Sequence, residues 1–133
     1  PASIDARIDS MLEPAGLLLA EFRKAAPRAD LAVCVTTPPN AREAGFEANY
    51  KGRYHRWGWK RIQHRLVERL LAQYEKQPDD DDQAGRTCIV PTQLNIDPVD
   101  GYPENNGVHP NGFGYQQIGS SIYSWLKWRL SST

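Results

Sequence analysis

Apolar positions along this chain fall into two patterns, helical spacings of three or four and short unbroken runs, and the switches between them mark the elements. Ile4, Ile8, Met11 and Leu12 repeat at helical spacing and predict a short helix ending before Pro14. Pro14 fits the first turn of a second helix, with Leu18, Leu19 and Phe22 facing inward and Pro27 closing it. Leu31-Ala32-Val33-Cys34-Val35-Thr36 is a continuous run between prolines, as expected of a strand buried on both faces. Residues 37–56 read as a long loop, opened by Thr37-Pro38-Pro39-Asn40 and carrying Gly45 and Gly52. Trp59, Ile62, Leu66, Val67, Leu70, Leu71 and Tyr74 outline an amphipathic helix over roughly residues 57–76. Pro78 and the aspartates at 79–82 stop it. Arg86-Thr87-Cys88-Ile89-Val90 is a second short strand, ended by Pro91 and followed by a loop of Asn, Asp, Pro and Gly to residue 110. A terminal helix follows, with Tyr115, Ile118, Ile122, Trp125, Leu126 and Arg129 on its predicted buried face.

Strands alternating with helices predict parallel strands joined by crossover helices, hence an α/β layered sheet. Two strands are few for a sheet covered on both faces. The pattern therefore reads as a single α/β unit over residues 1–133 that forms half of a doubly wound domain. Such a half is expected to expose sheet edge and apolar helix faces, and to dimerise, swap or depend on a companion segment. In open α/β sheets ligands bind outside the carboxyl ends of the strands. The loops over residues 37–56 and 91–110 both follow strands, so both should border one cleft.

Composition narrows this picture. A chain of 133 residues suits one domain with a real core. Sixteen basic residues balance sixteen acidic ones, so no global charge attracts nucleic acid or an anionic membrane. No apolar run approaches membrane-spanning length, and no secretory pattern opens the chain. Cys34 and Cys88 lie in apolar runs and read as small buried hydrophobes; a disulfide stays open, and with it the compartment. Residues 51–65 carry six Lys/Arg, no acid and the aromatics Tyr54, Trp57 and Trp59. Basic charge interleaved with aromatics binds single-stranded nucleic acid in some proteins. The plainer reading, a helix entrance with aromatic anchors and a solvated basic face, is preferred, and no nucleic-acid partner is expected. His55 and His64 lack ligand-type spacing and read as surface residues. The acidic run at 79–82 lacks the alternating ligands and turn glycine of a calcium loop and reads as a solvated loop.

The candidate chemistry lies in Asn105-Asn106-Gly107-Val108-His109-Pro110-Asn111-Gly112-Phe113-Gly114-Tyr115. Pro110 pushes His109 away from the α region, which holds the imidazole on a loop. Asn111 is placed to cap the helix that follows. The run Val108-His109-Pro110-Asn111, with Gly114-Tyr115 and Ile118, resembles the C-terminal block of the SGNH (GDSL-type) hydrolases. In that family an Asp-x-x-His-Pro segment before a Gly-Tyr helix delivers the catalytic base and its orienting acid. Here Asn106 stands where the family has Asp.

The resemblance implies a three-layer α/β/α, flavodoxin-like fold of which this chain is the C-terminal half, and hydrolysis of carboxylic esters without metal or organic cofactor. His109 would take the proton from a serine and return it to the leaving alcohol. Asn106 or a nearby carboxylate would orient it. Asp97, Asp100 and Glu104 share the loop, and Asp100 is preferred because Gly101 beside it lets the chain turn. Pro38, Tyr54, Trp57 and Val108 would contact an ester of lipid, acetylated sugar or other acyl type. The family's Gly-Asp-Ser and Gly-x-Asn-Asp blocks do not occur in these 133 residues. The remainder of the domain, or a companion chain, is therefore the expected source of the nucleophile and oxyanion donors. Gly119-Ser120-Ser121 falls inside the terminal helix and reads as helix packing. The contrasting expectation is a non-catalytic carbohydrate- or protein-binding domain derived from the same fold.

Overall fold

The computed structural model describes residues 3–74 and 87–131; Pro78, the aspartates at 79–82 and Arg86 lie outside the described residues. The elements run α1 (Ile4–Ala25), β1 (Leu31–Cys34), α2 (Glu43–Tyr50), α3 (Arg56–Tyr74), β2 (Thr87–Val90), a 3-10 turn (Thr92–Leu94) and α4 (Gly112–Ser131). The protein is mixed α/β, with β1 and β2 paired in a small parallel sheet. The chain divides into two compact units. One comprises Pro1–Val33 and Arg65–Ile89, the other Cys34–His64 and Val90–Thr133.

In the first unit α1 is one continuous helix, not two. Ser3 caps it by accepting the Ala6 N–H at 3.2 Å, and Pro14 sits inside it. A proline there removes one helical hydrogen bond and crowds the preceding turn. Burial along one stripe outweighs that cost: Ile8 and Leu12 join Leu70 and Tyr74 in a core flanked by Ile4, Leu19, Val33, Leu66 and Ile89. The expected inward face is only partly correct. Leu19 packs on the core, but Leu18 is 59% and Phe22 52% exposed. Arg65 forks onto Asp5, with Nε 2.9 Å from Oδ1, and Arg69 reaches Asp9 at 3.1 Å.

The strands are shorter and more open than expected. In β1, Leu31 and Val33 are half-buried while Ala32 and Cys34 are exposed, an alternation in place of burial on both faces. Cys34 and Cys88 are free thiols, and the expected burial fails for Cys34, which is exposed on that open face. Full burial begins beyond β1, in the second unit, where Val35 donates its N–H to the Val90 carbonyl at 3.0 Å. Val35 and Val90 are buried there, as are Phe46, Ile96 and Tyr102.

Helix α2 occupies what the sequence reads as loop. It is eight residues long, begins without a side-chain cap, and stops at Lys51, whose φ of 50° is left-handed. Helix α4 has the predicted span but not the predicted buried face. Gly114 and Ser121 are its buried residues, whereas Tyr115, Ile122 and Leu126 are exposed. Ile118, Trp125 and Arg129 of the predicted face are half-buried, and a Cβ on Gly114 would run into the Gly101 carbonyl oxygen, so this helix packs most closely through its small residues.

Candidate functional site: the His109 loop and a neighbouring cleft

Two loops of the second unit leave the strand ends and are tied together. Ala41 donates its N–H to the Pro98 carbonyl at 2.7 Å, and Asn40 donates to the Gly107 carbonyl at 2.9 Å. The Asn40 side chain is fully buried. Its Nδ2 donates to the Pro103 and Asn106 carbonyls at 3.0 and 2.9 Å, and its Oδ1 accepts the Arg42 N–H at 2.8 Å. The Tyr102 hydroxyl donates to the Pro38 carbonyl, and burial pushes that phenol above its ordinary range. The buried Asn40 amide and Tyr102 hydroxyl are thus both hydrogen-bonded, as buried polar groups ordinarily are. The two loops that follow the strands share a border, as the sheet topology predicts.

Asn106 organises the turn before the histidine. Its Oδ1 accepts the N–H groups of Val108 at 3.0 Å and His109 at 2.9 Å, a side-chain mimic of a backbone turn. Gly107 lies against the Phe46 ring, where any Cβ would come within 2.9 Å of it. On the other side Asn111 caps α4 as expected, accepting the Gly114 N–H at 2.9 Å. Its Nδ2 and N–H hold the Asp100 and Gly101 carbonyls at 2.8 and 2.9 Å. His109 is therefore carried on a loop pinned at both ends, with an exposed side chain and Val108 half-buried beside it. Among the described residues the imidazole makes no hydrogen bond or ion pair.

The carboxylates of the loop have other duties. Asp97 Oδ1 accepts the N–H of Val99 at 2.7 Å and of Asp100 at 3.1 Å, which holds the Asp97 carboxyl below its ordinary range. The Asp100 carboxylate is 70% exposed and lies 3.6 Å from the Arg42 guanidinium. Gly101 is buried, with the Asp97 carbonyl oxygen where a Cβ would go. It serves close packing, not a swing of its neighbour. Ser120 and Ser121 donate to the Gln116 and Gln117 carbonyls of their own helix.

A cleft of about 90 Å³ lies on the loop after β1. Three prolines, Pro38, Pro39 and Pro98, line it with Asn40 and Ala41, and Arg56, Trp57 and Lys60 join them from the first turns of α3. Of the expected contact residues, Pro38 and Trp57 meet here. Tyr54 does not; its ring packs against Tyr50 and Trp59, with centroids 5.3 and 6.0 Å apart. His55 caps α3 by accepting the Gly58 N–H on Nδ1 at 3.2 Å. No three His, Cys, Asp or Glu side chains converge into a metal-holding group among the described residues, and no described helix is long and apolar enough to cross a membrane.

Asn40, Arg42 and Lys60 have no role assigned from the sequence, and Asp97 is given only as a carboxylate that shares the loop. Asn40 had a usable signal, a polar side chain closing a Pro-Pro turn beside an apolar strand. Arg42 acts through a contact with another loop, Lys60 through its place on the first turns of α3, and Asp97 through a local Asx-type turn onto Val99 and Asp100. No family model, curated protein or solved structure matches the chain.

Proposed function

We propose that this chain is the histidine-bearing half of an SGNH-type serine ester hydrolase, a three-layer doubly wound fold completed by a segment outside these residues. The observation that supports it is the pinned His109 loop, hydrogen-bonded through Asn40 to the loop that follows the neighbouring parallel strand. In this reading His109 takes the proton from the attacking serine and returns it to the leaving alcohol. Asn106 is a positioning residue: its oxygen is spent on two backbone N–H groups, so it sets the loop and leaves the ring to another acceptor. Asp100, 70% exposed and 3.6 Å from the Arg42 guanidinium, is the loop carboxylate this reading assigns to the ring, by rotation of its side chain alone. One end of the ester, on its acyl or its alcohol side, contacts Pro38 and Trp57 in the neighbouring cleft.

A second reading is favoured by the unpartnered imidazole: a binding domain that keeps the fold and has lost the chemistry. Turnover of a short-chain aryl ester by the protein carrying this chain separates the two. The hydrolase reading expects His109→Ala to lower kcat by at least about 10⁴-fold. Asn106→Ala, which frees the loop, is expected to lower kcat/KM by about 10-fold or more, whereas Asn106→Asp keeps both acceptor contacts and the activity. Activity untouched by His109→Ala would sink the hydrolase reading.

A further inference from the structure

The cleft beside the His109 loop carries two cations, of which Arg56 is partly engaged by the chain and Lys60 is left open. Arg56 and Lys60 stand one helical turn apart at the start of α3 and flank one indole: the Arg56 guanidinium lies 4.2 Å and the Lys60 ammonium 5.6 Å from the Trp57 ring centroid. Arg56 is held in place. Its Nη1 donates to the Ala41 carbonyl at 2.7 Å and its Nε is 3.7 Å from Glu43. Its Nη2 has no hydrogen-bond partner among the described residues, and Lys60 has no hydrogen bond or ion pair there. No Asp or Glu lines the cleft. The unit that holds it carries eight Lys/Arg against five Asp/Glu, so its field is cationic although the whole chain is neutral.

We infer that this cleft is an oxyanion subsite, taking a carboxylate or phosphate that the substrate carries beside its ester bond. The identity of that substrate rests on the hydrolase reading; the subsite rests on the cleft alone. Its volume of about 90 Å³ is near that of three waters, whereas pockets that enclose a whole ligand run to ~300 Å³ and beyond. It therefore holds an end group. With Nη1 spent on Ala41 and Nε facing Glu43, the fixed guanidinium offers its Nη2 donors to an oxyanion, and the Lys60 ammonium adds a point charge. The prolines of the lining offer no competing N–H donor. A neutral acyl chain gains little here, since desolvating Lys60 against it is unfavourable.

Binding is read from the Trp57 indole N–H resonance, assigned with Trp57→Phe, in the protein expressed with its complete reading frame. The probes are monomethyl succinate, inorganic phosphate and neutral dimethyl succinate. One or both anions are expected to shift the resonance saturably while the diester does not. Lys60→Gln should weaken that binding by about 5-fold and Lys60→Arg should restore it. Saturation by monomethyl succinate alone assigns a carboxylate, and by phosphate alone a phosphate group. The subsite is overturned if neither anion saturates, if the diester binds equally, or if Lys60→Gln leaves the affinity unchanged. Anion binding in a protein without esterase activity would remove the ester reading and keep the subsite; esterase activity without anion binding would do the reverse.

Discussion

Asp97 shows how a single side chain sets the loop that carries the site. Its carboxylate accepts the Val99 and then the Asp100 N–H, with Arg42 adding a smaller attraction, and its acidity is raised accordingly. A carboxyl held below the unfolded value of about 3.9 stabilises the fold fully above that pH, and the contribution is lost as pH falls through the lower folded value. Protection of the Val99 and Asp100 amides from hydrogen exchange is therefore expected to drop selectively below about pH 4. Asp97→Asn keeps the acceptor and removes the titration, so its protection should not depend on pH. An equal acid-dependent drop in that variant would contradict the assignment. At this scale the sequence was partly readable. Asn111 was legible as a cap because its role depends on the residues just after it. Asn40 was not, because two of its partners, the Pro103 and Asn106 carbonyls, lie in another loop; Asp97 bonds the residues just after it and was open to the same local reasoning as Asn111.

At the scale of elements, α1 is the instructive case. Its apolar spacing predicts helix on both sides of Pro14, and local preference places a boundary there because proline is disfavoured in a helix interior. The buried stripe through Ile8, Leu12 and Leu19 spans the proline and overrides it. Pro14→Ala should restore the missing backbone donor and raise stability by about 1–2 kcal/mol, less than the full interior penalty because proline also restricts the unfolded chain. Urea denaturation reads this as a higher midpoint at unchanged slope; a lowered midpoint would mean that the proline is accommodated without cost. Helix α2 was missed for the opposite reason: eight residues containing Gly45 give too little periodicity to register. In α4 the apolar stripe was read as the core face, but Gly114 approaches the Gly101 backbone so closely that the small residues are the buried ones. Periodicity identifies the helix, and packing decides which face is inside.

For the whole molecule, parallel α/β order was legible from alternating strand and helix patterns, and the pairing of β1 with β2 bears it out. The apolar residues left open are informative in turn: Met11, Leu17 and Phe22 on α1, and Tyr123, Trp128 and Leu130 on α4. Each strand of a two-stranded sheet also keeps one unpaired edge. Sedimentation of the 133-residue chain at micromolar concentration should show self-association, and a compact monomer that unfolds cooperatively would contradict the half-domain account. The central claim, that His109 serves a serine held outside these residues, is tested most directly by a fluorophosphonate probe and intact mass. The isolated chain should gain no adduct. The protein expressed with its complete reading frame should gain one, mapped outside these residues and abolished by His109→Ala in a folded variant. A stoichiometric adduct on a serine of this chain, or labelling indifferent to His109, would contradict the account.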